Sequence, residues 1–60
     1  MEKKYRAYYD DGHDTGEFEF WSKYKANSKK NRMDAEKEAL KKFGLPRFRQ
    51  IIIVSTQLVF

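Results

Sequence analysis

The tripeptide Gly44-Leu45-Pro46 closes a helical pattern, and the chain on both sides of that helix follows the two-residue alternation of strands. A single helix set among strands leaves few folds open to a chain of 60 residues. Ala35, Ala39, Leu40 and Phe43, with Met33, recur at the three- and four-residue spacing of an amphipathic helix. Asn31 is the expected N-cap, and Asp34 then falls in the first turn, where the helix dipole favours an acid. Glu38 and Lys42 stand at the favourable i,i+4 spacing. Gly44 supplies the positive φ that ends the helix, Leu45 the hydrophobic contact that follows it, and Pro46 blocks any continuation.

The flanking segments read as three strands. From Lys3 to Tyr9, the residues Tyr5, Ala7 and Tyr9 alternate with Lys4, Arg6 and Tyr8. Asp10 to Gly16 is rich in turn formers, with Gly12 and Gly16 available for positive φ. From Glu17 to about Lys25, Phe18, Phe20 and Tyr24 share one face and Glu17, Glu19, Trp21, Lys23 and Lys25 the other. The third strand is expected from Phe48 to about Val59, rich in β-branched residues. Its more apolar set is Phe48, Ile52, Val54, Leu58 and Phe60, which leaves Arg47, Arg49, Ile51, Ile53, Ser55 and Gln57 on the opposite face.

The order is thus β-β-α-β. A hairpin followed by a right-handed crossover lays the third strand beside the first. The expected fold is α+β: a three-stranded antiparallel sheet of order 2-1-3 with one helix on one face, a single small domain over residues 1–60. A chain this short buries only about 60% of the surface its unfolded state exposes. It has no cysteine, and hence neither a disulfide staple nor a thiolate metal site. The 17% of aromatic residues supply the bulk of a very small core. The N-terminal Met-Glu-Lys-Lys-Tyr lacks the apolar stretch of a signal peptide, and no run of residues is long enough to span a bilayer. A cytoplasmic location without membrane contact is the expectation.

The formal charge of +4 is unevenly spread. Residues 22–32 carry Lys23, Lys25, Lys29, Lys30 and Arg32 without an acid, and residues 41–49 carry Lys41, Lys42, Arg47 and Arg49 without an acid. Such segregation steers anionic partners. One helix covers one side of a three-stranded sheet, so the other side is expected to display Arg6, Tyr8, Trp21, Arg47, Arg49, Ile51 and Ile53. Aromatics and cations on an open sheet suit unpaired bases and phosphates. The same residues suit a protein interface or a homodimer centred on Ile51 and Ile53. They also suit plain cross-strand pairing of Trp21 and Tyr8. The basic segment 22–32 reads either as a phosphate-binding loop or as a solvated charge run.

Catalysis finds no support. His13 is the only histidine, and it lies in a polar turn with Asp10, Asp11 and Asp14 that lacks the spacing of a calcium loop. Neither GxxxxGK[ST] nor GxGxxG occurs, so no enzyme, cofactor or metal is expected.

The stretch from Trp21 through Lys23-Tyr24-Lys25-Ala26-Asn27-Ser28-Lys29-Lys30-Asn31-Arg32 to Phe43-Gly44 resembles short, uncharacterised proteins of phages and conjugative elements of Gram-positive bacteria. The resemblance implies either a small DNA-binding accessory protein or a small inhibitor of host defence of the anti-CRISPR kind. The basic charge argues against mimicry of DNA in the second role. The pairing of an aromatic and cationic hairpin with an Ala/Glu-rich helix is also similar to the AP2-like arm-binding domains of tyrosine integrases, in which three strands precede the helix. The expected function is non-enzymatic binding of DNA or RNA, with interaction with a nucleic-acid-handling protein as the alternative.

Overall fold

The computed structural model describes residues 1–59. Strand β1 spans Lys3–Asp10 and β2 spans Thr15–Ser22; helix α1 spans Lys29–Phe43, a short helical turn α2 spans Leu45–Phe48, and β3 spans Ile52–Leu58. The sheet has the order β2-β1-β3 with both pairings antiparallel, as the alternation and the crossover rule require.

The loop of the β1–β2 hairpin is held by its own aspartates. Asp10 Oδ1 accepts from the Gly12 amide at 2.8 Å. Asp11 Oδ1 accepts from the amides of His13 at 3.0 Å and Asp14 at 2.8 Å. Gly12 takes the positive φ of 92°. Gly16, in contrast to the expectation, has no positive φ. It is a strand residue opposite Tyr9, and a Cβ built on it would stand 2.5 Å from the Tyr9 hydroxyl. The Tyr9 ring lies where a side chain would project, and it is held there by Phe18 and Phe43, with ring centroids at 5.9 and 5.4 Å.

Tyr5, Ala7, Phe18 and Phe20 face α1 and are buried with Ala35, Ala39 and Ile53. The two helix alanines are fully buried, which lets the helix backbone come close to the aromatic layer. Phe43 closes one end of this core by meeting Phe18 edge-on at 79°.

The helix begins earlier than the sequence suggests. Ser28 is the N-cap, with extended φ and ψ of −72° and 160°, and its hydroxyl accepts from the Asn31 amide at 3.2 Å. Asn31, expected as the cap, is instead a buried residue of the first turn. Its Nδ2 donates to the Tyr24 carbonyl at 3.1 Å, and its Oδ1 accepts from the Thr56 hydroxyl at 2.6 Å. An Asn side chain has two N–H donors and a carbonyl acceptor set apart on one amide, so it can bond two elements at once. Asp34 therefore lies beyond the first turn, which holds no acid.

At the other end Gly44, with φ of 83°, donates its amide to the Leu40 carbonyl at 3.0 Å. Leu45 is 52% exposed and does not join the core. Pro46 sits in the first turn of α2, where the missing amide costs nothing, and so starts a new helical turn as well as ending α1. This delays the third strand to Ile52. Phe48 becomes a half-buried residue of α2, and Arg47 and Arg49 are carried off the sheet.

The face assignment of β3 is also corrected. Between Tyr8↔Ser55 and Tyr9↔Ile53 the register shifts, which leaves Val54 as an extra residue. A bulge changes which parity faces the core. Ile53 and Thr56 point inward, whereas Ile52 and Val54 are 68% and 54% exposed. Ile53 is therefore core rather than a surface contact, and Ile51 is half-buried against that core. Phe60, assigned by parity to the apolar set, lies outside the described residues.

Two expectations test this packing. Gly16→Ala should destabilise the protein by about 1–3 kcal/mol, an overpacking cost, read from the urea midpoint. Tyr9→Leu in the same chain should relieve most of the added cost; equal effects with and without the Tyr9 ring would contradict the close approach. Asn27 has a φ of 65° and exchanges two 2.7 Å hydrogen bonds with Thr56. Asn27→Gly keeps the bond from its backbone amide to the Thr56 hydroxyl but removes the Oδ1 that accepts from the Thr56 amide, and should cost about 1–3 kcal/mol for the amide left unsatisfied. Asn27→Ala should cost roughly 1 kcal/mol more for the left-handed backbone. Equal midpoints for the two variants would contradict that split.

Candidate functional site

The sheet face away from α1 carries Lys4, Arg6 and Tyr8 from β1, Glu17, Glu19 and Trp21 from β2, and Ser55 and Gln57 from β3, as the register dictates. Its charges answer one another. Lys4 Nζ lies 2.8 Å from Glu19 Oε1, Arg6 Nε 3.1 Å from Glu17 Oε2, and Arg6 Nη2 3.3 Å from Glu19 Oε2. Tyr8 donates its hydroxyl to Gln57 at 3.2 Å, and Lys4 Nζ stands 6.0 Å from the Trp21 ring centre. Arg6 and Tyr8 are thus engaged across the strands. Two acids balance two cations, so the face carries no net field for an anion.

The second basic segment is split off. Arg47 Nη2 is 3.7 Å from Asp11 Oδ2, and its guanidinium lies 5.1 Å over the Phe43 ring. Arg49 ends α2. Both sit at the carboxyl end of α1, whose 15 residues span about 22 Å. The sequence placed Arg47 and Arg49 beside Arg6 and Trp21; α2 separates them.

The first basic segment forms a ridge around the start of α1. Lys23 and Lys25 lie in the turns after β2, Lys29 and Lys30 begin the helix, and all four are exposed. The turns are tied down by polar side chains. Ser22 accepts from the Tyr24 amide at 3.1 Å and donates to Asp34 Oδ2 at 2.8 Å. Ser28 donates to the Lys25 carbonyl at 2.7 Å. Tyr24 is half-buried between two ammonium groups, with Lys23 Nζ at 5.7 Å and Lys30 Nζ at 5.3 Å from the ring centre. Arg32 differs from these lysines in reaching away from the ridge, where it donates to the Val54 carbonyl of the edge strand at 2.7 Å.

Lysines at a helix start oppose the dipole, at a cost of about 0.3–1 kcal/mol each when exposed. An anion bound there removes that conflict. Beside the ridge, Tyr24, Lys30, Met33, Asp34 and Lys37 line a hollow of about 220 Å³. The hollow was not foreseen, because placing Tyr24 on a strand face hid its position next to the second turn of the helix.

His13 is exposed at the hairpin tip. Among the described residues no group of three or more His, Asp or Glu stands close enough to hold a metal, and no helix is long and apolar enough to cross a membrane. Comparison of the chain with protein-family models, curated proteins and solved structures gives no match in any of the three.

The sheet-face pairs have a pH signature. Hydrogen bonds from Lys4 and then Arg6 hold the Glu19 carboxyl below its ordinary 4.5. A lowered carboxylate contributes stability that is complete above the unfolded value and is lost as pH falls through the folded one. Asp11 is lowered in the same way by the amides of Asp14 and His13. Denaturation midpoints should therefore fall between roughly pH 5 and pH 3, and Glu19→Gln should flatten, without abolishing, that acid limb. An unchanged limb would show that the pairs do not persist in solution.

Proposed function

We propose that the protein is a small, non-enzymatic nucleic-acid-binding protein that grips phosphates along the ridge Lys23, Lys25, Lys29 and Lys30. The observation that carries this reading is that four exposed lysines stand on hydrogen-bonded turns at the positive end of α1, and none of them is ion-paired among the described residues. The loop geometry is set before binding, so less ordering entropy opposes association. Arg32 stands outside the ridge, since its fork is held at the β3 edge. The neutral sheet face around Arg6, Tyr8 and Trp21 and the distant Arg47 and Arg49 stand outside this site. An accessory role on DNA, as the resemblance to short phage and conjugative-element proteins implies, and a cytoplasmic location belong to the same proposal.

A second reading is supported by a separate observation, the exposed apolar pair Ile52 and Val54 on edge strand β3. Exposed apolar side chains of this kind favour a partner that packs against them. The partner there is a nucleic-acid-handling protein, such as a host defence nuclease, or a second copy of this chain.

Fluorescence anisotropy with oligonucleotides at two salt concentrations tests the first reading. The slope of log K against log salt should be about −0.9 per phosphate contact on duplex and about −0.7 on single strands. Lys25→Gln with Lys29→Gln should weaken binding to every oligonucleotide and reduce the slope by up to about two contacts. Ile52→Ser with Val54→Ser should leave affinity unchanged. Absence of binding at micromolar protein in low salt would overturn the first reading. Binding lost through Ile52 and Val54 rather than the lysines would favour the second.

A further inference from the structure

We propose that the hollow beside Tyr24 receives one unpaired nucleobase bearing an exocyclic amino group, so that the ridge binds single strands in preference to duplex. The inference rests on the nucleic-acid reading above and specifies which form of nucleic acid the ridge takes.

The hollow holds about 220 Å³, below the roughly 300 Å³ at which ligand pockets usually begin. It suits a flat ring laid on a surface rather than an enclosed molecule. Its apolar surfaces are the Tyr24 ring and the thioether of Met33, which is 47% exposed. An aromatic face beside cations is the platform on which unpaired bases stack. Paired bases cannot present their faces in this way, because their neighbours in the duplex cover them.

Tyr24 is fixed from both sides of its backbone, since its amide donates to Ser22 and its carbonyl accepts from Asn31. The ammonium groups of Lys23 and Lys30 lie over its ring. Exposed cation–π contacts of this kind are worth about 0.5–1 kcal/mol, so a base displaces them at little cost. The displaced ammonium groups then lie where the phosphates flanking a stacked base run. Lys37 supplies a third cation on the rim.

Asp34 sets the base preference. Its Oδ2 accepts from Ser22, whereas Oδ1 has no protein donor among the described residues. A carboxylate only accepts, so it matches the projecting exocyclic amino groups of cytosine, adenine or guanine, whereas thymine offers only its recessed ring N3–H between two carbonyls.

Anisotropy with oligo-dC, oligo-dT and a duplex of equal length tests the proposal on the intact chain. The wild-type protein should bind oligo-dC more tightly than oligo-dT and either more tightly than duplex. Tyr24→Ala should lose roughly five- to hundredfold on single strands, the range for removing one stacked base, with a much smaller change on duplex. Tyr24→Phe should keep the single-strand affinity, and Asp34→Asn should narrow the gap between dC and dT. Each ratio is taken within one variant, so a general loss of folding, which lowers all affinities together, is set apart. Equal losses on single strand and duplex in Tyr24→Ala, or equal affinities of the wild type for dC and dT, would overturn this inference and leave the lysine ridge standing. No binding by the wild-type chain to any probe would overturn the ridge, and this inference with it.

Discussion

Three polar side chains, Asn27, Asn31 and Thr56, join the crossover loop, the helix start and the edge strand in one hydrogen-bonded knot, with Asn31 and Thr56 buried at its centre. Thr56 donates its hydroxyl to Asn31, and it exchanges an amide and a hydroxyl contact with Asn27. In a core this small an unsatisfied polar group is costly, and a fully satisfied network rigidifies and specifies. Among the described residues no buried side-chain polar atom lacks a partner. Because Asn31 is taken up here, Ser28 caps the helix and the helix begins at Lys29. Because Asn27 reaches Thr56, the loop must cross to the β3 side of the sheet and turn there with a positive φ.

The knot also governs the edge. Asn27 takes the Thr56 amide and Arg32 the Val54 carbonyl. Side chains of the loop and helix thus occupy backbone groups of β3 that an open edge would offer to another chain. The bulge at Val54 adds a second disturbance on the same stretch. The apolar side chains of Ile52 and Val54 stay exposed there, so the edge is blunted in its hydrogen bonding and not in its hydrophobicity.

Charge is divided between two surfaces. On the sheet face, direct opposition of Arg6 and Glu19 across β1 and β2 turns cations and acids into a neutral lattice. Surface pairs of this kind add little to stability, and their larger effect is to cancel the charge of the face. On the ridge the nearby acid, Asp34, is drawn toward Ser22, and the lysines keep their field. The lysine ridge thus places one cluster of positive charge at the amino end of α1, next to a half-buried tyrosine, apart from the cations at its carboxyl end.

Local patterning was enough to determine the three strands and the main helix in their order, the sheet order and the inward faces of β1 and β2, but not α2, since alternation and helical spacing are properties of neighbouring residues. The helix stop at Gly44 was legible for the same reason: it needs only a glycine followed by a proline. The five cations in residues 22–32 were equally legible, and the four lysines stay together on folding while Arg32 turns to the β3 edge. Tertiary structure decided the rest. The start of α1 depended on Thr56, 25 residues away from Asn31. The face of Ile53 depended on a bulge set by pairing with β1. The fate of Arg6 depended on which residues of β2 lie opposite it, and that of Arg47 on a helical turn packed at the end of α1. Periodicity runs along the chain and carries no information about what a second strand or a distant side chain will demand, so which cations remain free is settled only when the elements meet.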